Sequence, residues 1–353
     1  MRIPTLPGVA FALTASLLFG VSTPFSKILL EQIHPVFLAG LLYLGSGIGL
    51  GIWWLKTRII PSGNQETPLK QKDLPWLAGA VLSGGVIAPV LLLLGLSVTP
   101  ASTTALLLNL EGVMTALLAW FLFKEHFSSR IVWGMAVITG GGIFISWSGL
   151  PGMGSFLGPI LVASACLAWG LDNNLTQKIS ASDPIQIACI KGLSAGSTNL
   201  IISLFFMISF PTFNTVLFAG LVGFLGFGIS VALFVYALRL IGTARTSAYF
   251  STSPFVGALL SILILGESWT VPFLLVALLM GLGVWLHISE SHDHEHFHLD
   301  LEHDHWHSHD VHHNHDHEKD QVLEEDHSHS HNHEKTVHSH PHFPDIHHRH
   351  PHP

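Results

Sequence analysis

Residues 101–123 and residues 243–265 decide the fold of this chain. The first stretch reads ASTTALLLNLEGVMTALLAWFLF, and the second reads TARTSAYFSTSPFVGALLSILIL. Each is long enough to cross a bilayer core of about 30 Å as a helix, which takes roughly 20 apolar residues. The two stretches also share a pattern of small residues at an offset of 142 positions. The chain is therefore predicted to be a helical membrane protein with two related halves.

The shared pattern is a stripe of small or polar residues at spacing i, i+4, i+7, i+11 and i+14, which is one face of a helix. Its members are Ala105, Asn109, Gly112, Ala116 and Ala119 in the first stretch and Ser247, Ser251, Pro254, Ala258 and Ser261 in the second. Close packing of membrane helices explains one such stripe equally well. Two stripes in register favour an internal repeat. Gly112 and Pro254 are predicted as matching hinge or packing positions that point to a site near the membrane midplane.

Extending the apolar runs in both directions predicts ten transmembrane helices. Their ranges are 5–29, 34–55, 74–96, 101–123, 129–148, 156–178, 184–208, 214–238, 242–266 and 269–289. Five helices per half is an odd number, so the second half enters the membrane from the opposite side. The predicted fold class is an all-α polytopic membrane protein with two inverted five-helix repeats and a disordered tail. The predicted domains are residues 1–150, 151–290 and 291–353.

Charge separates the membrane part from the tail. Only 11% of the 353 residues are charged, against about 25% in soluble domains. Residues 1–290 carry a net charge of +3, and residues 291–353 carry −11 together with 23 of the 26 histidines. Lys and Arg lie in every second connection, which predicts a plasma membrane protein with both termini in the cytoplasm.

These features together resemble a known family. The five-plus-five helices, the aromatic-glycine pair Trp169-Gly170, and Glu125 and Glu267 near the ends of two helices resemble the EamA-like exporters of the drug/metabolite transporter superfamily. The resemblance covers about residues 6–289. It implies export of a solute across the cytoplasmic membrane without defining the solute.

Ionisable residues inside predicted helices are candidates for the solute or proton pathway, because they are costly in lipid and usually face a cavity or a partner. Glu111 lies midway along its helix and is interpreted as a proton carrier, with structural hydrogen bonding as the alternative. Asp172 and Lys191 are predicted to lie at similar depth, which favours a structural ion pair over a gate. The predicted pathway residues are Glu111, Asn109, Asp172, Lys191, Asn173, Ser251 and Tyr236.

The tail is predicted to bind metal, because alternating His and Asp/Glu cannot build a core and neutral imidazole is the commonest metal ligand. Zn, Ni, Co or Cu suit such a ligand set. The alternative is a solubilising or pH-sensitive acidic tail. The candidate ligands are His292, His294, His296, His298, His303, His305, His307, His309, His312, His313, His315, His317, His327, His329, His331 and His333.

Three functions remain open at this point. The first is a secondary exporter of a small metabolite, the second a transition-metal transporter whose tail collects the ion, and the third a membrane-anchored metal sensor or store. The chain has no phosphate-binding loop and no catalytic constellation, so neither ATP hydrolysis nor enzymatic activity is expected. The predicted partners are the lipid bilayer and a small-molecule or ion substrate. No nucleic acid and no required cofactor are expected, and a homodimer is left open.

Overall fold

The structure, a computed structural model, describes residues 5–59, 67–123, 129–147, 156–206 and 210–288, and four tail segments at 293–297, 301–308, 326–333 and 337–341. The first five ranges are almost entirely helical. The α-helices are α1 (Thr5–Leu30), α2 (Pro35–Ile59), α3 (Leu74–Ala80), α4 (Ala88–Ser97), α5 (Ala101–Leu107), α6 (Leu110–Phe123), α7 (Ser129–Trp147), α8 (Leu157–Ile179), α9 (Pro184–Ser203), α10 (Phe213–Gly223), α11 (Ser230–Phe250), α12 (Ser253–Leu265) and α13 (Val271–Ile288).

The membrane character of the chain follows from the length and surface of these helices. Within the described residues, eight helical stretches are long and apolar enough to cross a membrane, and Val271–Leu286 is a shorter apolar helix. Large apolar side chains point outward, with Phe205 84% and Phe121 72% exposed. Such a surface suits lipid rather than water. The protein is therefore a multi-pass membrane protein.

Two of the predicted spans are interrupted. Between α5 and α6 the helix breaks at residues 108–109, and between α11 and α12 it breaks at residues 251–252. The first break ends three residues before the predicted hinge Gly112, and the second begins three residues before the predicted hinge Pro254. At the second break, a continuous helix would press the ring of Pro254 against the carbonyl of Phe250. At the first break, the Asn109 side chain competes for the backbone by donating to the Leu106 carbonyl at 3.1 Å.

The sequence placed one helix boundary differently. It predicted a connection between the helices at 214–238 and 242–266, but α11 continues through these positions to Phe250. Glycine at position 242 has a low helix propensity, yet its cost of about 1 kcal/mol is small enough for the neighbouring helical turns to override it.

Short π-helical turns replace α-helix in two of the spans. They occupy Val81–Ile87, between α3 and α4, and Phe224–Ile229, between α10 and α11. Both contain closely spaced glycines, Gly84 and Gly85 in the first and Gly226 and Gly228 in the second. Single π turns of this kind are frequent at functional sites.

The helices pack around a centre formed by α1, α2, α8 and α9. The helix α2 runs against α9, α1 against α11 and α12, α8 against α4 and α6, and α7 against α13. Gly47 and Gly192 allow the closest of these approaches, because a Cβ atom added to either would meet the backbone of the other helix. Small residues let membrane helices approach closely enough for van der Waals packing, because no hydrophobic force drives the helices together in lipid.

Two carboxylates cap helices at their N-terminal ends. Asp183 accepts hydrogen bonds from the amides of Ile185 and Gln186 at the start of α9. Glu267 accepts from the amides of Ala101, at 2.7 Å, and Ser102, at 2.8 Å, at the start of α5. These amides have no intrahelical partner, and the positive end of the helix dipole favours an anion there. Glu125, the other glutamate in the family resemblance, lies outside the described residues.

Four tail segments are extended strands. They are β1 (Asp293–Phe297), β2 (Leu301–Ser308), β3 (Asp326–His333) and β4 (Val337–Pro341). Strand β1 pairs antiparallel with β4, and β2 pairs antiparallel with β3. The tail was predicted to be disordered, whereas these four segments form paired strands. The alternation of histidine with other residues along them has the two-residue period of an extended strand. The candidate ligands His292, His298, His309, His312, His313, His315 and His317 lie outside the described residues.

Candidate functional site

A cavity of about 50 Å³ lies among the central helices, which is room for a few water molecules. It is smaller than the roughly 300–1,000 Å³ of a typical ligand site, so the conformation described here does not hold a bulky solute. The residues around it come from α1, α2, α6, α8, α9, α11 and the second π turn. They are Phe19, Tyr43, Ser46, Glu111, Trp169, Asp172, Asn173, Thr176, Ala188, Lys191, Gly192, Phe227, Ser230, Val231, Phe234, Val235 and Phe250. We call this space the central cavity.

One wall of the central cavity is a buried ion pair. Lys191 on α9 places its Nζ 2.6 Å from Oδ1 and 2.8 Å from Oδ2 of Asp172 on α8. The Thr176 hydroxyl accepts the third Lys191 hydrogen bond at 3.2 Å and donates to Asp172 Oδ1 at 2.9 Å. All three protons of the ammonium group therefore have partners, as a buried charge requires.

A second carboxylate faces the same cavity without a cation of its own. Glu111 lies in the first turn of α6, and its Oε1 accepts a hydrogen bond of 2.9 Å from Asn173 Nδ2. Asn173 also donates to the Thr115 hydroxyl at 3.2 Å. Lys191 is the only basic residue among the described residues that line the cavity, and Asp172 already pairs with it. An ionised Glu111 therefore gives the cavity a net charge of −1.

Aromatic rings form much of the remaining wall. Phe19 contacts Trp169 and Phe227 edge to face, with ring centroids 5.7 Å and 5.5 Å apart. Trp169 Nε1, at 3.0 Å, and the Tyr43 hydroxyl, at 2.7 Å, both donate to the carbonyl of Gly84 in the first π turn. The rings are thus held in place by hydrogen bonds as well as by packing. Sequence analysis did not assign these rings to the site, although the pair Trp169-Gly170 was noted as part of the family resemblance.

The structure brings four of the seven predicted pathway residues together at the central cavity: Glu111, Asn173, Asp172 and Lys191. Two others lie elsewhere. Tyr236 packs against Phe11 and beneath the Arg239 guanidinium, which is 5.5 Å from its ring centre. Asn109 is buried beside Met280.

The seventh, Ser251, lines a smaller neighbouring cavity. We call it the break cavity, because it lies where the interruptions of the two spans meet. Its lining residues are Phe19, Leu108, Glu111, Gly112, Thr115, Asn173, Ser247, Phe250, Ser251, Ser253 and Pro254. Both predicted hinges, Gly112 and Pro254, lie here. Glu111 and Asn173 belong to both cavities.

Metal binding has no support in the membrane part that the structure describes. Among those residues, no group of three or more His, Cys, Asp or Glu side chains is placed to hold a metal ion. The histidine side chains of the tail are not described, so the predicted metal ligands stay a prediction.

The fold and the central cavity define the class of protein. A multi-pass helical membrane protein with ionisable residues facing a cavity among its central helices has the architecture expected of a membrane transporter. The family model of the EamA-like transporter family matches residues 6–147 and again residues 156–289. The chain belongs to this family, and the predicted resemblance is confirmed.

The chain is also similar to a curated relative in sequence and to a solved structure in fold. A protein of Methanothermobacter thermautotrophicus described as an uncharacterized transporter is 30% identical over 277 residues, which cover 75% of this chain and 81% of the relative. A crystal structure of a protein with 16% identity matches with a TM-score of 0.59, over 79% of this chain and 96% of that one. The second likeness is one of fold alone.

Proposed function

We propose that this protein is a secondary transporter that exports a small metabolite by alternating access between two inverted five-helix repeats. The observation that carries the proposal is the central cavity, where Glu111, Asn173, Asp172 and Lys191 from α6, α8 and α9 converge. Buried ionisable residues in a membrane domain usually serve a substrate or ion pathway.

A count of ten spans is part of the proposal. The eight long apolar stretches and the shorter Val271–Leu286 account for nine within the described residues. The helix α8 is the tenth. It is long enough to span, but it carries Asp172, Asn173, Asn174 and Gln177, which lower its hydropathy. Two of these polar residues, Asp172 and Asn173, line the central cavity.

Equivalent contacts in the two halves support an inverted repeat. A Cβ atom on Gly20 of α1 would meet Val256 and Gly257, and one on Gly170 of α8 would meet Met114 and Thr115. The second pair of partners lies 142 positions before the first, which is the offset of the two stretches in the sequence. The two helix breaks and the two π turns recur at nearly the same offset. Inverted repeats with discontinuous helices are a common plan of secondary transporters.

We assign the roles of the cavity residues as follows. Glu111 carries the coupling charge, and Asn173 holds its carboxylate. The Asp172–Lys191 pair shapes the wall and, by opening, would expose both charges to a solute. Burial in an apolar site favours the protonated form of a carboxyl group, so a proton is one candidate coupling ion. Because the cations lie in every second connection, we place both termini in the cytoplasm and the protein in the plasma membrane.

The tail adds a metal-binding function to the proposal. In the β2–β3 ladder, His303, His305 and His307 stand opposite His331, His329 and His327. This register, together with the histidine content, supports binding of Zn, Ni, Co or Cu by the tail. A transition-metal transporter remains the second candidate function for this reason. A mere membrane anchor would need one span rather than the eight found in the described residues.

One experiment separates the two candidates. Cells would express the full chain, a deletion of residues 291–353, or Glu111→Gln, and both cellular metal content and the metabolites released into the medium would be measured. A metabolite exporter predicts that Glu111→Gln abolishes release of an organic solute, while the tail deletion in metal-free medium does not. Metal content that shifts with the full chain and reverts in both variants would instead identify metal as the cargo. No change in metal or metabolites would contradict the proposed transport.

A further inference from the structure

The break cavity is built differently from the central cavity beside it. It lies between the N-terminal ends of α6 and α12 and has room for about one water-sized particle. It is therefore too small for an organic solute. Whatever occupies it is a water molecule or a single small ion.

Two of the hydroxyl oxygens at the break cavity, those of Ser247 and Ser253, have no hydrogen-bond partner among the described residues. Ser253 is only 2% exposed, and its Oγ has no hydrogen-bond partner among the described residues. The same is true of Ser247 Oγ. The Ser251 hydroxyl donates to the Ser247 carbonyl at 2.8 Å, which leaves its own lone pairs free. Buried hydroxyls without partners are costly, so an occupant that satisfies them is expected.

Glu111 adds a negative charge to these oxygens. Only Oε1 of its carboxylate is held by Asn173. The charged groups nearby, Asp172 and Lys191, neutralise each other. Among the residues that the structure describes, no lysine or arginine lines the break cavity.

We propose that the break cavity binds a single alkali-metal cation, of which Na⁺ is the representative, through the Glu111 carboxylate and the hydroxyls of Ser247, Ser251 and Ser253. Small hard cations take oxygen ligands, whereas transition metals prefer imidazole and thiolate, and neither of these lines the cavity. The site draws on both halves of the chain, α6 from the first and α11 and α12 from the second. A bound cation therefore neutralises the Glu111 carboxylate, which also faces the central cavity. Because its ligands come from both halves of the chain, cation binding also depends on the contact between the halves.

The inference rests on the proposed function only through Glu111, which lines both cavities. Binding of the cation can be measured without transport. The purified full chain in detergent would be titrated with radioactive Na⁺ at constant ionic strength, with Li⁺ and K⁺ as competitors. We expect saturable binding of one ion per chain that weakens as the pH is lowered, because protons compete for Glu111. Glu111→Gln should abolish this binding. Because the variant retains the acidic tail, any Na⁺ that it still binds measures the ions attracted by the tail, and this background can be subtracted.

The serine variants test the geometry of the site. Ser253→Ala and Ser247→Ala should each weaken Na⁺ binding at least about tenfold, since each removes a ligand to a charged group. Ser261→Ala is the matched control: it lies two turns after Ser253 on α12, and its hydroxyl already donates to the Gly257 carbonyl. It should bind Na⁺ as the unaltered chain does. All variants would be checked for unchanged elution and melting temperature.

The outcomes separate this inference from the proposed function. Absence of saturable Na⁺ binding by the unaltered chain, or equal binding by Ser253→Ala, would overturn the cation site and leave water or a proton as the occupant. Loss of Na⁺ binding in Ser253→Ala with persistent metabolite release would support the site and show that release does not depend on it. Binding without any metabolite release by the unaltered chain would retain the site and contradict the exporter.

Discussion

Lys191 and Asp172 form an ion pair in which Nζ lies 2.6 Å and 2.8 Å from the two carboxylate oxygens, with both side chains less than 10% exposed. The pair joins α8 to α9 beside the central cavity. A glycine faces it: a Cβ atom on Gly84, in the first π turn, would collide with the Asp172 carboxylate. The first π turn therefore requires a residue without a side chain where it passes the ion pair.

Breaking this pair from one side should destabilise the protein strongly. Lys191→Met leaves Asp172 buried and unpaired, which costs about 3–5 kcal/mol. The double variant Lys191→Met with Asp172→Asn removes both charges and should recover much of that loss. Thermal unfolding of the purified variants in one detergent would measure the effect. If the single and double variants melt alike, the pair has no such coupling.

Adding a methyl group at Gly84 should be far more harmful than adding one at Gly140. Gly84→Ala drives a Cβ atom into the Asp172 carboxylate, whereas nothing lies within 4 Å of a Cβ atom on Gly140. We expect Gly84→Ala to reduce the folded yield or lower the melting temperature. Gly140→Ala should be neutral or stabilising by up to about 1 kcal/mol. Equal yields and melting temperatures for both would contradict the packing around the ion pair.

The neighbouring residues Asn173 and Asn174 should separate function from stability. Asn173→Ala removes the donor to Glu111 and should impair metabolite release; its loss of stability should be the smaller one, because Glu111 faces the cavity, where water can replace the lost donor. Asn174 instead donates to the backbone carbonyls of Thr115, at 3.0 Å, and Gly170, at 2.8 Å. Asn174→Ala should cost about 1–3 kcal/mol, because it removes two buried hydrogen bonds, although both carbonyls keep their donors within the helices. Release rates and melting curves of both variants test this, and the opposite assignment would refute it.

Glu267 should stabilise the start of α5. Removal of its side chain in Glu267→Ala leaves the amides of Ala101 and Ser102 without their acceptor and should cost about 0.5–2 kcal/mol, in the range of other N-terminal caps. Glu31→Ala, at an exposed glutamate at the end of α1, is the charge-matched control. Melting temperatures of the two variants give the comparison. An equally large drop in the melting temperature of Glu31→Ala would show that the loss of stability comes from the change in net charge rather than from the lost cap.

Deleting residues 291–353 should remove transition-metal binding and leave the membrane part intact. Because the predicted ligands are the tail histidines, isothermal titration with Zn²⁺ or Ni²⁺ should show many sites in the full chain and none in the deletion variant. The melting temperature in metal-free buffer should not change. Undiminished metal binding after the deletion would show that the metal site lies in the helices rather than in the tail.

Much of the architecture was predictable because it depends on local patterns in the sequence. Runs of apolar residues identify the spans, and the offset of 142 is within one residue of the spacing between the two helix breaks. The site was only partly predictable. Glu111, Asp172 and Lys191 stood out, because an ionisable residue in an apolar run is rare. Tyr236 and Asn109 were chosen for polarity alone, and they face other helices.

By itself, the sequence determined that the chain is a polytopic membrane protein with two related halves, because burial in lipid demands long apolar helices and a repeat leaves matching residues. The tertiary structure alone decided which polar groups meet. Whether Glu111 contacts Asn173, and whether Phe19 reaches Trp169, depends on the rotation and crossing of helices far apart in the chain. The pattern along one helix carries no information on the face that a distant helix presents to it. The two cavities therefore exist only once the halves have packed together.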